Sequence, residues 1–288
     1  MKNVGAILIA RTSKKLYYGR THMNVVRFPG LNLTLNIPRV VFTIFNIEIY
    51  WYAILMVSAM VIAIIMFKKR DGLYKIKFSE TLDLLIYLIP ISIISARLYY
   101  VLFKLDYYIA NPIEILNTRN GGMAIYGGVI GGAITCVVFC KIRKINLLDL
   151  IDYIVPGLVL GQAIGRWGNF INVEAYGTKT NLPWRMGIYD LGEYIEVHPT
   201  FLYESLACFI IFAILILLKN KRKFKGQIAL TYLALYSLER SFVEGLRTDS
   251  LMLGNIRISQ ALSIIIFVIS IITFLVVKPL KISINKNK

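Results

Sequence analysis

The chain alternates long apolar runs with short polar connections. Runs of transmembrane length fall at about 48–67, 80–103, 121–140, 147–167, 198–218, 227–245 and 257–278, each close to the ~20 residues a helix needs to cross a bilayer. The pattern predicts an all-α, polytopic membrane protein with seven transmembrane helices. Positive charge then sets the orientation. Lys68, Lys69, Arg70, Lys75 and Lys77 follow the first run, and Lys141, Arg143 and Lys144 follow the third. Lys219, Lys221, Arg222, Lys223 and Lys225 follow the fifth, while Lys278, Lys281, Lys286 and Lys288 follow the seventh. Cytoplasmic loops collect Lys and Arg, so alternate basic loops put the C-terminus in the cytoplasm and the N-terminus outside.

Residues 1–39 fit this less well, because they carry Lys2, Arg11, Lys14, Lys15, Arg20, Arg27 and Arg39. Met23 reads as an alternative start, and residues 1–22 as an extension of doubtful function. The expected organisation is therefore that extension, an outer segment at 23–47, a seven-helix membrane domain at 48–278 and a basic cytoplasmic tail at 279–288.

Orientation converts position into depth, at about 1.5 Å per helical residue. Tyr52, Arg97, Tyr126, Arg166, Asn169, His198, Tyr203, Glu204 and Arg240 then all fall in the outer half of their spans. Charged groups within spans are expensive and normally face a bundle interior or an aqueous cavity, which makes them candidates for function. Tyr236, Arg240 and Glu244 are spaced i, i+4, i+8, with Arg247 three residues further on, so they share a helix face. A structural salt-bridge ladder is the competing account for Glu244 and Arg247.

Composition agrees with the pattern. The chain is 57% hydrophobic and 17% charged, with a mean hydropathy of +0.64; soluble domains average about 45–50% and about 25%. The net charge of +17 belongs to cytoplasmic loops and anionic headgroups, so no nucleic-acid partner is expected. Cys136, Cys140 and Cys208 lie in apolar runs and read as small buried hydrophobes. No metal-ligand cluster and no cofactor motif is present in the sequence, and no cofactor or metal is expected.

Buried arginines suit one ligand class above others. A guanidinium pairs bidentately with phosphate and stays charged under partial burial, and a lipid headgroup phosphate is the anion available at this depth. Asn169 and Asn172 add neutral donors, and the glycines of both the third and fourth runs allow close approach. Plain helix packing is the stronger account for Gly131 and Gly132, as capping and packing at a helix start is for His198.

At these residues the chain resembles the bacterial prolipoprotein diacylglyceryl transferases. Gly165–Gly177 (GRWGNFINVEAYG) matches the family signature G-R-x-G-N-F-x-N-x-E-x-x-G almost throughout. Support comes from Tyr52 in IYWYAILM, Arg97 in ARLYYVLF, GGMAIYGG at 121–128, HPTFLYE at 198–204, YSLERSFVEGLR at 236–247 and Ser259-Gln260. The resemblance covers about residues 40–275. It implies a seven-helix enzyme of the bacterial cytoplasmic membrane whose site faces the outer leaflet. Its substrates would be phosphatidylglycerol and prolipoprotein signal peptides with a lipobox cysteine. The diacylglyceryl group would pass to the cysteine thiol, giving a thioether and glycerol phosphate. The resemblance marks Arg166 and Arg240 as essential and Tyr52, Asn169, Glu174, Gly177, Tyr236, Glu244 and Arg247 as important.

Two positions depart from the pattern. Many relatives have His where this chain has Tyr126, and Gln where it has Phe201. A phenol, with an unperturbed pKa near 10, is a poor base. The expected mechanism is a phosphate clamp by Arg166 and Arg240, with Tyr126 and Tyr236 orienting substrate or relaying a proton. Glu174 and Glu244 would hold the arginines, and Arg97, Asn172 and His198 complete the expected binding set. A lipid flippase or transporter is the alternative, against which stand the absence of an internal repeat and the clustering of polar groups near one face.

Overall fold

A computed structural model describes residues 23–118, 121–254 and 256–276. The expectations for residues 1–22 and for the tail at 279–288 lie outside the described residues. Seven long helices follow the seven apolar runs: α1 (Trp51–Lys68), α2 (Phe78–Leu102), α3 (Ile125–Arg143), α4 (Leu147–Asn172), α5 (Thr200–Leu218), α6 (Gln227–Leu246) and α7 (Ile258–Val276). Six of them are long and apolar enough to cross a membrane. The exception, α6, has 20 residues, hence about 30 Å of length, but it carries Glu239, Arg240 and Glu244. The protein is thus a mostly helical, polytopic membrane protein.

The all-α expectation needs correcting outside the long helices. Strands β1 (Met23–Phe28), β2 (Leu33–Pro38), β5 (Met186–Asp190) and β6 (Glu193–Val197) form an antiparallel sheet in the order β2-β1-β5-β6. Two hairpins, β3 (Val40–Ile44) with β4 (Ile47–Tyr50) and β7 (Met252–Leu253) with β8 (Ile256–Arg257), stand apart from it. The physical reason is local: Val26 and Val197 are the buried positions of strands whose other residues stay at least partly exposed, and β5 buries Met186, Gly187 and Ile188 together. Val26, Met186, Ile188 and Val197 pack on Phe170 of α4 and Phe201 of α5. The sheet therefore rests on the end of α4 that carries the signature segment.

The chain divides into two compact units. One comprises residues up to Ile64 together with Val155 onward; the other is Ile65–Ile154. In the second unit, α2 and α3 pack closely. Side chains added at Gly127 or Gly131 would run into Ser95 and Tyr99 of α2, so these glycines are a helix-packing stripe of the small-residue kind. The same unit buries Tyr153, whose hydroxyl donates to the carbonyl of Phe67 at 2.8 Å.

Candidate functional site

The first unit gathers its charges around one carboxylate. Glu204 lies one turn into α5 and is 1% exposed. It forms ion pairs with Arg166 of α4, with Arg240 of α6 at 3.0 Å and with Arg247 at 3.3 Å. Arg240 is shared with Glu244, one turn along α6, at 2.5 Å. Arg247, at the end of α6, spends two further nitrogens on Asp249 at 2.9 and 2.8 Å. Three guanidiniums meeting on a buried acid would repel one another without it, so Glu204 is the hub of the cluster. The guanidinium of Arg257 donates to the backbone carbonyl of Glu244, and Gln260 donates to that of Ser241 at 2.9 Å. These contacts tie the start of α7 to α6.

Arg166 and Arg240 are only partly engaged. Each uses its two terminal nitrogens, Arg166 on Glu204 and on Asn169 at 3.4 Å, Arg240 on Glu204 and Glu244. A guanidinium has five N–H donors, so about three remain on each without a partner among the described residues. Their side chains are 19% and 18% exposed. Arg97 is the contrast, and it lies in the second unit. Its nitrogens donate to the carbonyls of Ile115, Gly121, Gly122, Glu114 and Asn117 at 2.5–3.0 Å. Tyr108 packs against its guanidinium at 5.1 Å. All five donors are committed to the segment 114–122, and Arg97 has none left for a ligand.

The signature segment is held in a demanding backbone conformation. After α4 ends, Val173 (φ 52°) and Ala175 (φ 60°) occupy the left-handed region. For a β-branched residue such as Val173 that is strained and persists only where the surroundings over-determine it. Those surroundings can be named. Glu174 accepts from Asn172 at 3.0 Å and Asn169 at 3.4 Å, while its own N–H reaches the carbonyl of Asn169 at 3.0 Å. Asn24, in β1, and Arg39, at the bend between β2 and β3, donate to the carbonyls of Ile171 and Asn172 at 2.6 and 3.2 Å. Gly177 donates to the His198 carbonyl at 3.0 Å, and Thr178 to that of Leu246 at 2.7 Å. A Cβ on Gly177 would lie 2.7 Å from that of His198. Gly168, one turn before the end of α4, lets the ring of Tyr52 lie flat against the helix, where a Cβ would come within 2.7 Å of Tyr52 Cε2 and closer still to Cδ2.

The remaining sequence candidates separate by role. His198 bonds through Nδ1 to the Tyr203 hydroxyl at 3.3 Å and through its backbone to Thr178 and Gly177. Burial pushes its pKa below the usual value. Its contacts are those of a residue that fastens the start of α5. Tyr236 stacks on Tyr232, with ring centroids 5.4 Å apart, and stands within electrostatic reach of Arg166, Arg240 and Glu204. Phe201 stacks on Phe170 at 4.5 Å, so the departure from Gln at this position is taken up as core packing. Tyr126 opens α3 in the second unit and is half-exposed. Among the described residues no group of His, Cys, Asp and Glu is arranged to hold a metal.

Glu204 was the functional group hardest to weigh from sequence, because a lone acid in an apolar run does not reveal how many cations it meets. Asn24 carries no signal in the sequence, and Arg39 stands out there only as a positive charge in the N-terminal segment, not as a group that holds the signature segment.

The prolipoprotein diacylglyceryl transferase family profile matches residues 39–276. The phosphatidylglycerol–prolipoprotein diacylglyceryl transferase of Finegoldia magna is 49% identical over 81% of this chain and 93% of its own length. The enzyme of the same name from Clostridioides difficile is 48% identical over 79% and 90%, and that of Bacillus cytotoxicus 43% identical over 79% and 87%. The matched span takes in the arginine cluster, the strained signature segment and all seven long helices, and the chain belongs to the prolipoprotein diacylglyceryl transferase family, with diacylglyceryl transfer in lipoprotein maturation as its activity.

Proposed function

We propose that Arg166 and Arg240 grip the headgroup phosphate of phosphatidylglycerol while the cysteine thiol of a prolipoprotein lipobox attacks the adjoining glycerol carbon. The observation that carries this reading is the partial engagement of the two guanidiniums. Both are anchored on the buried Glu204, and both keep N–H donors and exposed surface for an oxyanion. In the displacement, sulfur forms a bond to the diacylglyceryl carbon and the carbon–oxygen bond to phosphate breaks. Charge then grows on the leaving phosphate oxygen, where fixed cations stabilise the transition state more than the ground state. The thiolate is the reactive form of the nucleophile. Tyr52, Tyr236, Asn169 and Asn172 would position the lipid, and Glu174, Glu244, Arg247 and Gly177 would fix the parts that hold it. Arg97, with every donor committed, holds the segment that precedes α3. His198 holds the start of α5.

In the same reading α6 is the seventh span, with Arg240 and Glu244 tolerated there because they are paired within the protein. The N-terminal side of α1 and the signature segment face the outer leaflet of the cytoplasmic membrane, and the basic loops face the cytoplasm. Residues 48–278 form the catalytic membrane domain. The test is to mix the purified protein in vesicles with phosphatidylglycerol labelled in its acyl chains and a lipobox peptide. Label appearing on the peptide cysteine supports the transferase; label crossing between leaflets on unchanged lipid would instead favour a flippase.

A further inference from the structure

Nearly every carboxylate around the arginines already has cations or donors to hold. Glu204 serves three guanidiniums, Glu244 serves Arg240, Asp249 serves Arg247, and Glu174 accepts from Asn169 and Asn172. A proton placed on any of them would weaken a contact that shapes the site. Glu239 is different. Both of its carboxylate oxygens are shut off from solvent, and neither has a hydrogen-bond partner among the described residues. It directly precedes Arg240 and follows Tyr236 by three residues on α6. It stands within electrostatic reach of Glu204, Arg166 and Arg240, and of Cys208 and Tyr232.

Burying a carboxylate without a donor is costly, and a native fold that keeps one calls for a reason. The reaction supplies one, because the attacking thiol must lose a proton. The other side chains offer less. Tyr126 and Tyr236 are phenols, whose unperturbed pKa near 10 suits them poorly as bases at neutral pH. The Nδ1 of His198 is bonded to Tyr203.

We propose that Glu239 is the group that takes the proton from the substrate cysteine. The inference rests on the phosphate-clamp reading above, which places the thiol beside Arg166 and Arg240. The S–H proton passes to a Glu239 oxygen, and the sulfur lone pair forms the bond to the diacylglyceryl carbon. The carbon–oxygen bond breaks with its electron pair going to the phosphate oxygen. The proton then leaves with glycerol phosphate, which restores the carboxylate. Because Glu239 holds no arginine, it cycles between charged and neutral without loosening the clamp.

The titratable groups within electrostatic reach of Glu239 are Arg166 from α4, Glu204 and Cys208 from α5, and Tyr232 and Arg240 from its own helix. Helix α7 carries no titratable side chain between Ile258 and Val276, and the one titratable side chain of α1 within this unit, Tyr52, lies at the Gly168 end of α4.

The experiment compares Glu239→Gln, Glu239→Asp and Glu239→Leu with the unaltered protein in lipid nanodiscs. Transfer from phosphatidylglycerol to a lipobox peptide is followed from pH 6 to pH 9, with thermal unfolding measured alongside. The expected loss of kcat in Glu239→Gln at neutral pH is about 10²–10⁴-fold, the usual range for a general base, with KM for the lipid unchanged. That deficit should shrink as pH approaches the free thiol value of about 8.5, where the thiolate forms unaided. Glu239→Asp should recover part of the rate. Glu239→Leu should unfold no earlier than the unaltered protein and still be inactive at neutral pH, which separates a chemical role from a structural one. Normal kcat in Glu239→Gln would overturn the proposal. So would a loss that is the same at every pH, or one confined to the lipid KM. Arg166→Ala, run in parallel, tests the clamp separately: its full activity would refute the clamp, whatever the Glu239 variants show.

Discussion

Glu204→Gln keeps the shape of the side chain and removes the charge on which three guanidiniums meet. Taking away one partner of a buried ion pair costs about 3–5 kcal/mol when the other charge is left uncompensated. Two features of this cluster reduce that figure. Arg240 and Arg247 keep Glu244 and Asp249, and the three arginine side chains are 11–19% exposed, so water takes up part of the charge. Arg166 loses its carboxylate partner, and Asn169 is what remains to it among the described residues. The expected destabilisation is then about 2–3 kcal/mol, below or at the lower end of that range. At about 2–4 °C per kcal/mol for a chain of this size, unfolding should begin roughly 4–12 °C lower. Turnover should suffer more than stability, since a displacement of about 1 Å in a positioning group costs about 10²-fold. The assay is transfer to a lipobox peptide in nanodiscs, with thermal unfolding of the same preparation. Groups in direct contact are not additive, so Glu204→Gln combined with Arg166→Ala should lose little more activity than Arg166→Ala alone. Losses that multiply in the double variant, or a Glu204→Gln protein with normal turnover, would refute the idea that Glu204 acts through Arg166.

Gly168→Ala should displace Tyr52, because the new Cβ would lie 2.7 Å from Cε2 of that ring and closer to Cδ2. Overpacking of this kind costs about 1–3 kcal/mol, and adding Tyr52→Ala should restore thermal stability without restoring full activity. His198 gives a pH signature. Burial lowers its pKa in the folded protein, so below the unfolded value of about 6.5 the unfolded chain takes up the proton first. Stability contributed by the neutral imidazole should therefore be complete above that value and be lost as pH falls through it toward the folded pKa. Replacing His198 with Gln should flatten unfolding temperature against pH between about pH 6.5 and pH 5; an unchanged slope would show that other groups set it.

The long helices were legible because each apolar run has to satisfy its own backbone bonds in lipid, which ties helix to hydropathy directly. Even α6, with Glu239, Arg240 and Glu244, keeps the helix its spacing implied. The strands are short and pair mostly with their neighbours in sequence, a weaker signal than the long apolar runs, and the sheet is joined by β1 and β5 across more than 150 residues, at Arg27 and Gly187. Nothing local to 23–28 announces that partner. The site divides along similar lines. Arg166 and Arg240 stood out as charges within spans, yet so did Arg97, and sequence alone does not say that five backbone carbonyls consume the donors of Arg97. That difference lies in the path of the segment 114–122. Glu204 is the one acid of its apolar helix, and Glu239 shares α6 with Arg240 and Glu244. Only packing distinguishes the one that binds three arginines from the one that binds none.

The account stands or falls on Arg166 and Arg240 meeting the lipid phosphate. The direct measurement is transfer of labelled diacylglycerol from phosphatidylglycerol to a lipobox peptide by Arg166→Ala and Arg240→Ala, each checked for intact folding in nanodiscs. Loss of a preorganised stabiliser of developing charge costs about 10²–10³-fold in kcat, and each variant should lose at least that much while remaining folded. Normal turnover in either would contradict the clamp.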